Sequence, residues 1–158
     1  MKKIINPWKG IEGYMCFACS PDNPVGLHME FYEDNNDIVS FWKPSIYMQG
    51  WLNTLHGGIQ SVLMDELGAW IVVRKLQKVG VTSRFDVKYI KSISTGEPQL
   101  TVRGRITEQK RNAVFIEAEI YNSQNELCTS AKMVYFVFSP EHTVKDFYFT
   151  GCKTEDEV

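Results

Sequence analysis

No stretch of this 158-residue chain approaches the roughly 20 consecutive apolar residues of a membrane-spanning helix, so no membrane partner is expected. Basic charge is scarce as well. With 17 Lys and Arg against 19 Asp and Glu the net charge is −2, which excludes the cationic surplus that draws proteins onto nucleic acid. Histidine occurs only at His28, His56 and His142, and none of these gives Cys16 and Cys19 a second ligand pair at zinc-site spacing. No metal is therefore expected. Cys128 and Cys152 stand alone, and the four cysteines read as reduced, partly buried thiols. A GxSxG nucleophile elbow is missing, which removes the support for a Ser-His-Asp hydrolase. The N-terminal MKKIINPWKG has lysines but no apolar segment behind them, so the expectation is a cytoplasmic protein without a secretory signal.

What is present fits one ordinary domain over residues 1–158. Apolar residues make up 44% and charged residues 23%, the balance of a folded globular chain long enough to bury its own core. Residues 1–26 read as an irregular lead-in ending in the turn-forming SPDNPVG. From Leu27 the pattern alternates, placing Leu27, Met29 and Phe31 on one face of a strand, and Asp37 to Trp42 forms its hairpin partner. After a connector at 44–54 the spacing predicts one helix over 56–73. Four strands follow, at 81–93, 100–106, 114–120 and 127–138, separated by short turn-like stretches that demand antiparallel pairing. Residues 139–158 lack a period and read as a loose tail. The implied class is α+β, with one long central helix wrapped by a curved antiparallel sheet.

The helix carries the anomaly. Asp65 and Glu66 stand side by side within HGGIQSVLMDELGAWIVV, and carboxylates are rarely buried unless paired, hydrogen-bonded or functional. Glu66 falls within the apolar stripe, so it either points into the core with a partner or sits where the stripe meets a polar pocket. Ser61, Asp65, Gly68 and Ala69 form a face of small residues suited to a close approach. At the N-terminus, His56-Gly57-Gly58 presents unpaired backbone N–H groups that could cradle a carbonyl oxygen gaining negative charge, or simply ease a tight loop-to-helix junction. Asp65 could serve as a general base, as a nucleophile, or as a structural acid. Nine residues of helix put His56 and Asp65 roughly 13 Å apart, so they cannot serve one atom within a chain. A shared site then requires a twofold assembly, a homodimer or homotetramer with sites across the subunit interface.

Three blocks together, HGGIQSVLMDE at 56–66, TSRFDVKYIK at 82–91 and CFACSPDNPVGLHMEFY at 16–32, resemble the hotdog-fold acyl-CoA thioesterases of the phenylacetate-degradation (PaaI) type. The resemblance covers roughly residues 14 to 138. It implies a hotdog fold and hydrolysis of a small-molecule acyl thioester to acid and thiol, with coenzyme A entering only as part of the substrate. It further implies that Asp65 is the base or nucleophile, that the amide of Gly57 or Gly58 polarises the carbonyl, and that His56 positions that end of the site. A hydroxyl at the head of the next strand, Thr82, would hold the water or the aspartate. Strict alternation instead puts Ser83 on the face shared with Phe85 and Val87, so Ser83 is the substitute. Where many relatives carry an asparagine this chain has Gly50, and Gln49 or Asn53 is left to contact substrate. The competing expectations are an acyl-CoA-binding sensor without catalysis and, with less support from the residues, an enoyl-thioester hydratase.

Overall fold

The apolar stretch after His56 folds as one 20-residue helix, Gly57–Leu76 (α1), in the computed structural model, which describes residues 1–158. Its start is fixed by its own sequence: His56 is the N-cap, and its Nδ1 accepts the Gly58 N–H at 2.8 Å. Its end is a left-handed Gln77, whose side-chain amide donates back to the Arg74 carbonyl at 2.9 Å. Leu63, Met64, Leu67, Ile71 and Val72 are completely buried. Burial on that scale demands a surface that curls around the helix.

The sheet supplies it. Strands Lys2–Lys3 (β1), Tyr32–Asp34 (β2), Asp37–Trp42 (β3), Gly80–Tyr89 (β4), Leu100–Lys110 (β5), Ala113–Tyr121 (β6) and Leu127–Val137 (β7) form one antiparallel sheet in the order β1-β2-β3-β5-β6-β7-β4. Alternation is clearest in β6, where every second residue is buried from Val114 to Ile120. Those inward residues pack on α1, as do the inner faces of β3, β4, β5 and β7. This is the hotdog arrangement. β4, ten residues long, forms one border of the sheet and leaves one side of its backbone without a strand partner.

Three segments differ from the sequence reading. The strand expected from Leu27 shortens to Tyr32–Asp34, because His28 takes a left-handed φ of 51°. Leu27, Met29 and Phe31 are nevertheless buried, and the Leu27 and Met29 amides donate to the Phe17 and Ala18 carbonyls, both at 2.8 Å. The lead-in is thus partly ordered by pairing with the 27–29 stretch, and it contributes β1 to the sheet. The expected loose tail is a correction. Pro140–Phe147 forms a second helix (α2), started by a Ser139 cap and a proline in its first turn. Beyond it Phe149, Cys152 and Thr154 are buried. Trp8 of the lead-in packs edge-on against Trp70 at 6.1 Å, lies 5.6 Å from Phe149 and donates its Nε1–H to the Phe147 carbonyl. These contacts come from single residues at irregular spacing, which periodicity does not register.

Candidate active site on the central helix

Asp65 projects from the middle of α1 toward β4 and β7. Thr82 Oγ1 donates to its Oδ1 at 2.6 Å and Tyr135 Oη donates to the same oxygen at 3.0 Å. Tyr135 also reaches the Asp65 backbone carbonyl. Oδ2 has no hydrogen-bond partner within the chain. The carboxylate is therefore held by one oxygen, and Asp65 lines a small depression of about 290 Å³ together with Ser61, Val62, Thr82 and Phe85. Burial pushes the Tyr135 hydroxyl well above the ordinary tyrosine range, and the adjacent Asp65 charge adds to it, so Tyr135 remains a donor.

Thr82 occupies this place because β4 is irregular. Its pairing with β7 runs Thr82 opposite Tyr135 and then Arg84 opposite Val134, so Ser83 is an extra residue in the strand. The bulge puts Thr82 in phase with Phe85 and Val87. Ser83 turns instead to the Val134 carbonyl, to which its hydroxyl donates at 3.0 Å. The substitute offered by strict alternation is thus corrected, for a reason that alternation alone does not contain.

The helix start forms the second half of the constellation. His56 spends its Nδ1 on the Gly58 amide, which removes that N–H from the candidates for holding a carbonyl oxygen. The Gly57 N–H has no acceptor within the chain. Gly57 lies directly beneath Tyr89: an added Cβ would sit 3.3 Å from the ring, and Tyr89 Oη donates to the Gly57 carbonyl at 2.9 Å. Ser61 shares that hydroxyl at 2.8 Å. Tyr89 thereby ties the first turn of α1 to β4.

His56, Gly58 and Gln49 line a pocket of about 770 Å³ with apolar walls that include Phe17, Leu27, Met48, Ile59 and Val62. Gln49 Oε1 accepts the Asn53 N–H at 3.1 Å. Asn53 itself is a turn residue with φ 59°, absent from the pocket lining, and its carbonyl accepts from Thr95. Of the two substitutes for the missing asparagine, only Gln49 is placed beside His56. Val62 borders both the His56 pocket and the Asp65 depression.

The face of small residues on α1 is used differently from the sequence expectation. A Cβ on Gly68 would stand 2.9 Å from the Tyr135 ring and hydroxyl, so the glycine admits Tyr135 of the same chain. Ala69 borders a pocket closed by Trp8 and Tyr14 of the lead-in. Tyr135 and Tyr89 are the site residues that sequence reasoning missed. Alternation in β7 puts Tyr135 inward, where a phenol needs a hydrogen-bond partner, and that need is the signal that could have found it.

Glu66, about 100° further round α1 than Asp65, faces the lead-in. Trp70 Nε1 donates to Oε1 at 3.0 Å, and Cys16 Sγ lies 3.6 Å from the same oxygen. Burial pushes this carboxyl up to about 7. The hydrogen bond from Cys19 draws the Cys16 thiol down to about 5 and pushes the Cys19 thiol up.

Residues 52–129 match the family model of the thioesterase superfamily. Among relatives by sequence, a protein of Sulfurisphaera tokodaii named "Putative esterase" is 27% identical over 92 residues, 58% of this chain and 63% of that protein. The chain thus spans less than two thirds of that relative's length. Among solved structures, a hypothetical thioesterase of Streptococcus pneumoniae TIGR4 with coenzyme A superposes with a TM-score of 0.65 at 22% identity, covering 70% of this chain and 89% of that one. The PaaI protein of the E. coli phenylacetic acid degradation operon gives a TM-score of 0.65 at 18% identity, covering 72% and 81%. These likenesses show a common fold.

Proposed function

Since the chain belongs to the hotdog-fold thioesterase superfamily, we propose that it hydrolyses an acyl thioester, with coenzyme A as the thiol carrier, using Asp65 and the start of α1. The observation that carries this reading is the half-held carboxylate: Thr82 and Tyr135 fix Oδ1, while Oδ2 has no partner within the chain and the residue borders a depression. In this scheme Oδ2 takes a proton from water as that water attacks the carbonyl carbon, or attacks the carbon itself to give an acyl-Asp65 anhydride that water later hydrolyses to the free acid. The carbonyl oxygen, becoming negative, lies on the Gly57 N–H at the positive end of the helix. The C–S bond then breaks and the thiolate leaves, taking up a proton to become free thiol. The coenzyme A held by the pneumococcal structure is in keeping with that leaving group.

Gly57 and Asp65 are about 12 Å apart along one helix, so the scheme places the Gly57 end of one subunit against Asp65 of another. Two features support such pairing. The border strand β4, which carries Thr82 and Phe85, has an open edge. The connector before α1 exposes Tyr47, Trp51 and Leu52 almost fully, at 94%, 84% and 80%, large apolar side chains that a second copy could cover.

Thiol release measured across short, long and aromatic acyl-CoAs tests the reading. Turnover of at least one class, abolished in Asp65→Asn with circular dichroism unchanged, is the expected result. Tight acyl-CoA binding with no thiol release from any class would replace hydrolysis with a binding role.

A further inference from the structure

Glu66 follows Asp65 but is rotated by about 100° around the helix, and it meets a different part of the chain. Its carboxylate closes on the CFAC turn of the lead-in. Cys16 Sγ is 3.6 Å from Glu66 Oε1 and 3.1 Å from Cys19 Sγ. One donor atom from each of the three residues lies within 4.8 Å of the other two. The turn is shaped to favour sulfur as an acceptor: the Cys19 N–H points at Cys16 Sγ at 3.3 Å, and the Ser20 N–H closes onto the Cys16 carbonyl at 3.1 Å. Both cysteines are free thiols.

The cluster lacks a positive charge. Glu66 receives hydrogen bonds from Cys16 and Trp70 alone, and the adjoining pocket of about 220 Å³ has no Lys, Arg or His in its lining. A half-buried carboxylate beside two thiols, with no cation to pair with, is an acceptor set that a metal ion would complete. The geometry points to a site for one thiophilic divalent ion of the zinc class, held by Cys16 Sγ, Cys19 Sγ and a carboxylate oxygen of Glu66.

The dimensions agree with that occupant. With Zn–S near 2.3 Å and Zn–O near 2.1 Å, a tetrahedral ion sets its sulfur and oxygen ligands about 3.6 Å apart and its two sulfurs about 3.8 Å apart. The Cys16–Glu66 distance already has that value, and the sulfurs need to part by roughly 0.7 Å. The adjoining pocket has room for water as the fourth ligand. Trp70, donating to Glu66, orients the carboxylate from behind. Thiolate ligands select zinc over the hard cations. A disulfide between the same cysteines would use the sulfurs and leave Glu66 without a role. The sequence reading excluded metal because no second ligand pair accompanied the CxxC; the third donor comes from α1. There the ion clamps the lead-in to the middle of the helix, away from the Asp65 contacts on β4 and β7.

The test is metal binding by the full chain, reduced and purified without chelator. Cobalt(II) titration of the metal-stripped protein is expected to give a thiolate-to-cobalt charge-transfer band saturating at one equivalent per chain, with zinc displacing it and raising the melting temperature. Cys16→Ser/Cys19→Ser loses the band. Glu66→Gln keeps both thiols and the circular dichroism spectrum but binds cobalt at least about tenfold more weakly. Cobalt binding of equal strength in wild type and Glu66→Gln would overturn the site, as would a reduced wild-type protein that gives no band. Isolation as a Cys16–Cys19 disulfide that takes up no cobalt after reduction would overturn it too.

Discussion

Oδ1 of Asp65 accepts from both Thr82 and Tyr135, so removing either hydroxyl leaves the carboxylate present but less well aimed. A hydrogen bond to a charged group contributes about 1.5–3 kcal/mol, which converts to roughly 10- to 100-fold. Tyr135→Phe and Thr82→Ala are each expected to lower kcat by a factor in that range with little change in KM, measured by steady-state thiol release. Wild-type turnover in both variants would remove these hydroxyls from the scheme. Gly68 carries a related expectation. Its missing Cβ leaves the space that Tyr135 fills at 2.9 Å, so Gly68→Ala overpacks the contact. The expected loss is about 1–3 kcal/mol of stability by urea denaturation, with turnover falling as Tyr135 is displaced. An unperturbed denaturation midpoint would show that the tyrosine has room to move.

The terminal segments are held by charge as well as by packing. Arg74, near the end of α1, bonds Glu33 of β2 and Glu157 near the C-terminus; Lys75 also pairs with Glu33, and Lys2 with Asp156. Arg74 holds the Glu157 carboxyl down at about 2, and hydrogen bonds from Lys2 and Thr154 do the same for Asp156. Glu33 is also lowered, since the hydrogen bonds from Arg74 and Lys75 outweigh the burial that opposes them. A depressed carboxyl contributes stability above its unfolded value, and that contribution is lost as pH falls through the folded value. The C-terminal segment is therefore expected to loosen between pH 4.5 and about 2, seen as rising hydrogen exchange over residues 149–157. Protection that persists down to pH 2 would mean that packing of Phe149 and Cys152 suffices.

These segments also show where sequence patterning stops. α1 and the four long strands were legible because apolar residues recur periodically along them, as were the shared face of Leu27, Met29 and Phe31 and the importance of two acids in an apolar helix. Trp8, Phe149 and Thr154 dock as single residues, so the tail read as loose. The Ser83 bulge defeats alternation because one residue has no cross-strand partner. Tyr135 was not singled out within the strand at 127–138, since its hydroxyl partner lies 70 positions away in sequence. The fold was thus open to periodicity, while the support of Asp65 depended on contacts between distant segments.

At the scale of the whole molecule, the proposed chemistry divides between the start and the middle of α1, which one chain cannot bring together. The open edge of β4 and the exposed Tyr47, Trp51 and Leu52 give a second copy a surface to cover. Mixing two inactive variants measures this division directly. Asp65→Ala removes the carboxylate, and Gly57→Pro removes the free N–H at a position where proline is compatible with a helix start. After the two proteins are unfolded and refolded together in equal amounts, half of the dimers are mixed, and each mixed dimer holds one intact site out of two. Thiol release should then recover to about one quarter of the wild-type value. If Gly57 and Asp65 instead serve a site within one chain, every site in the mixture carries a defect, and activity stays at the level of the separate variants.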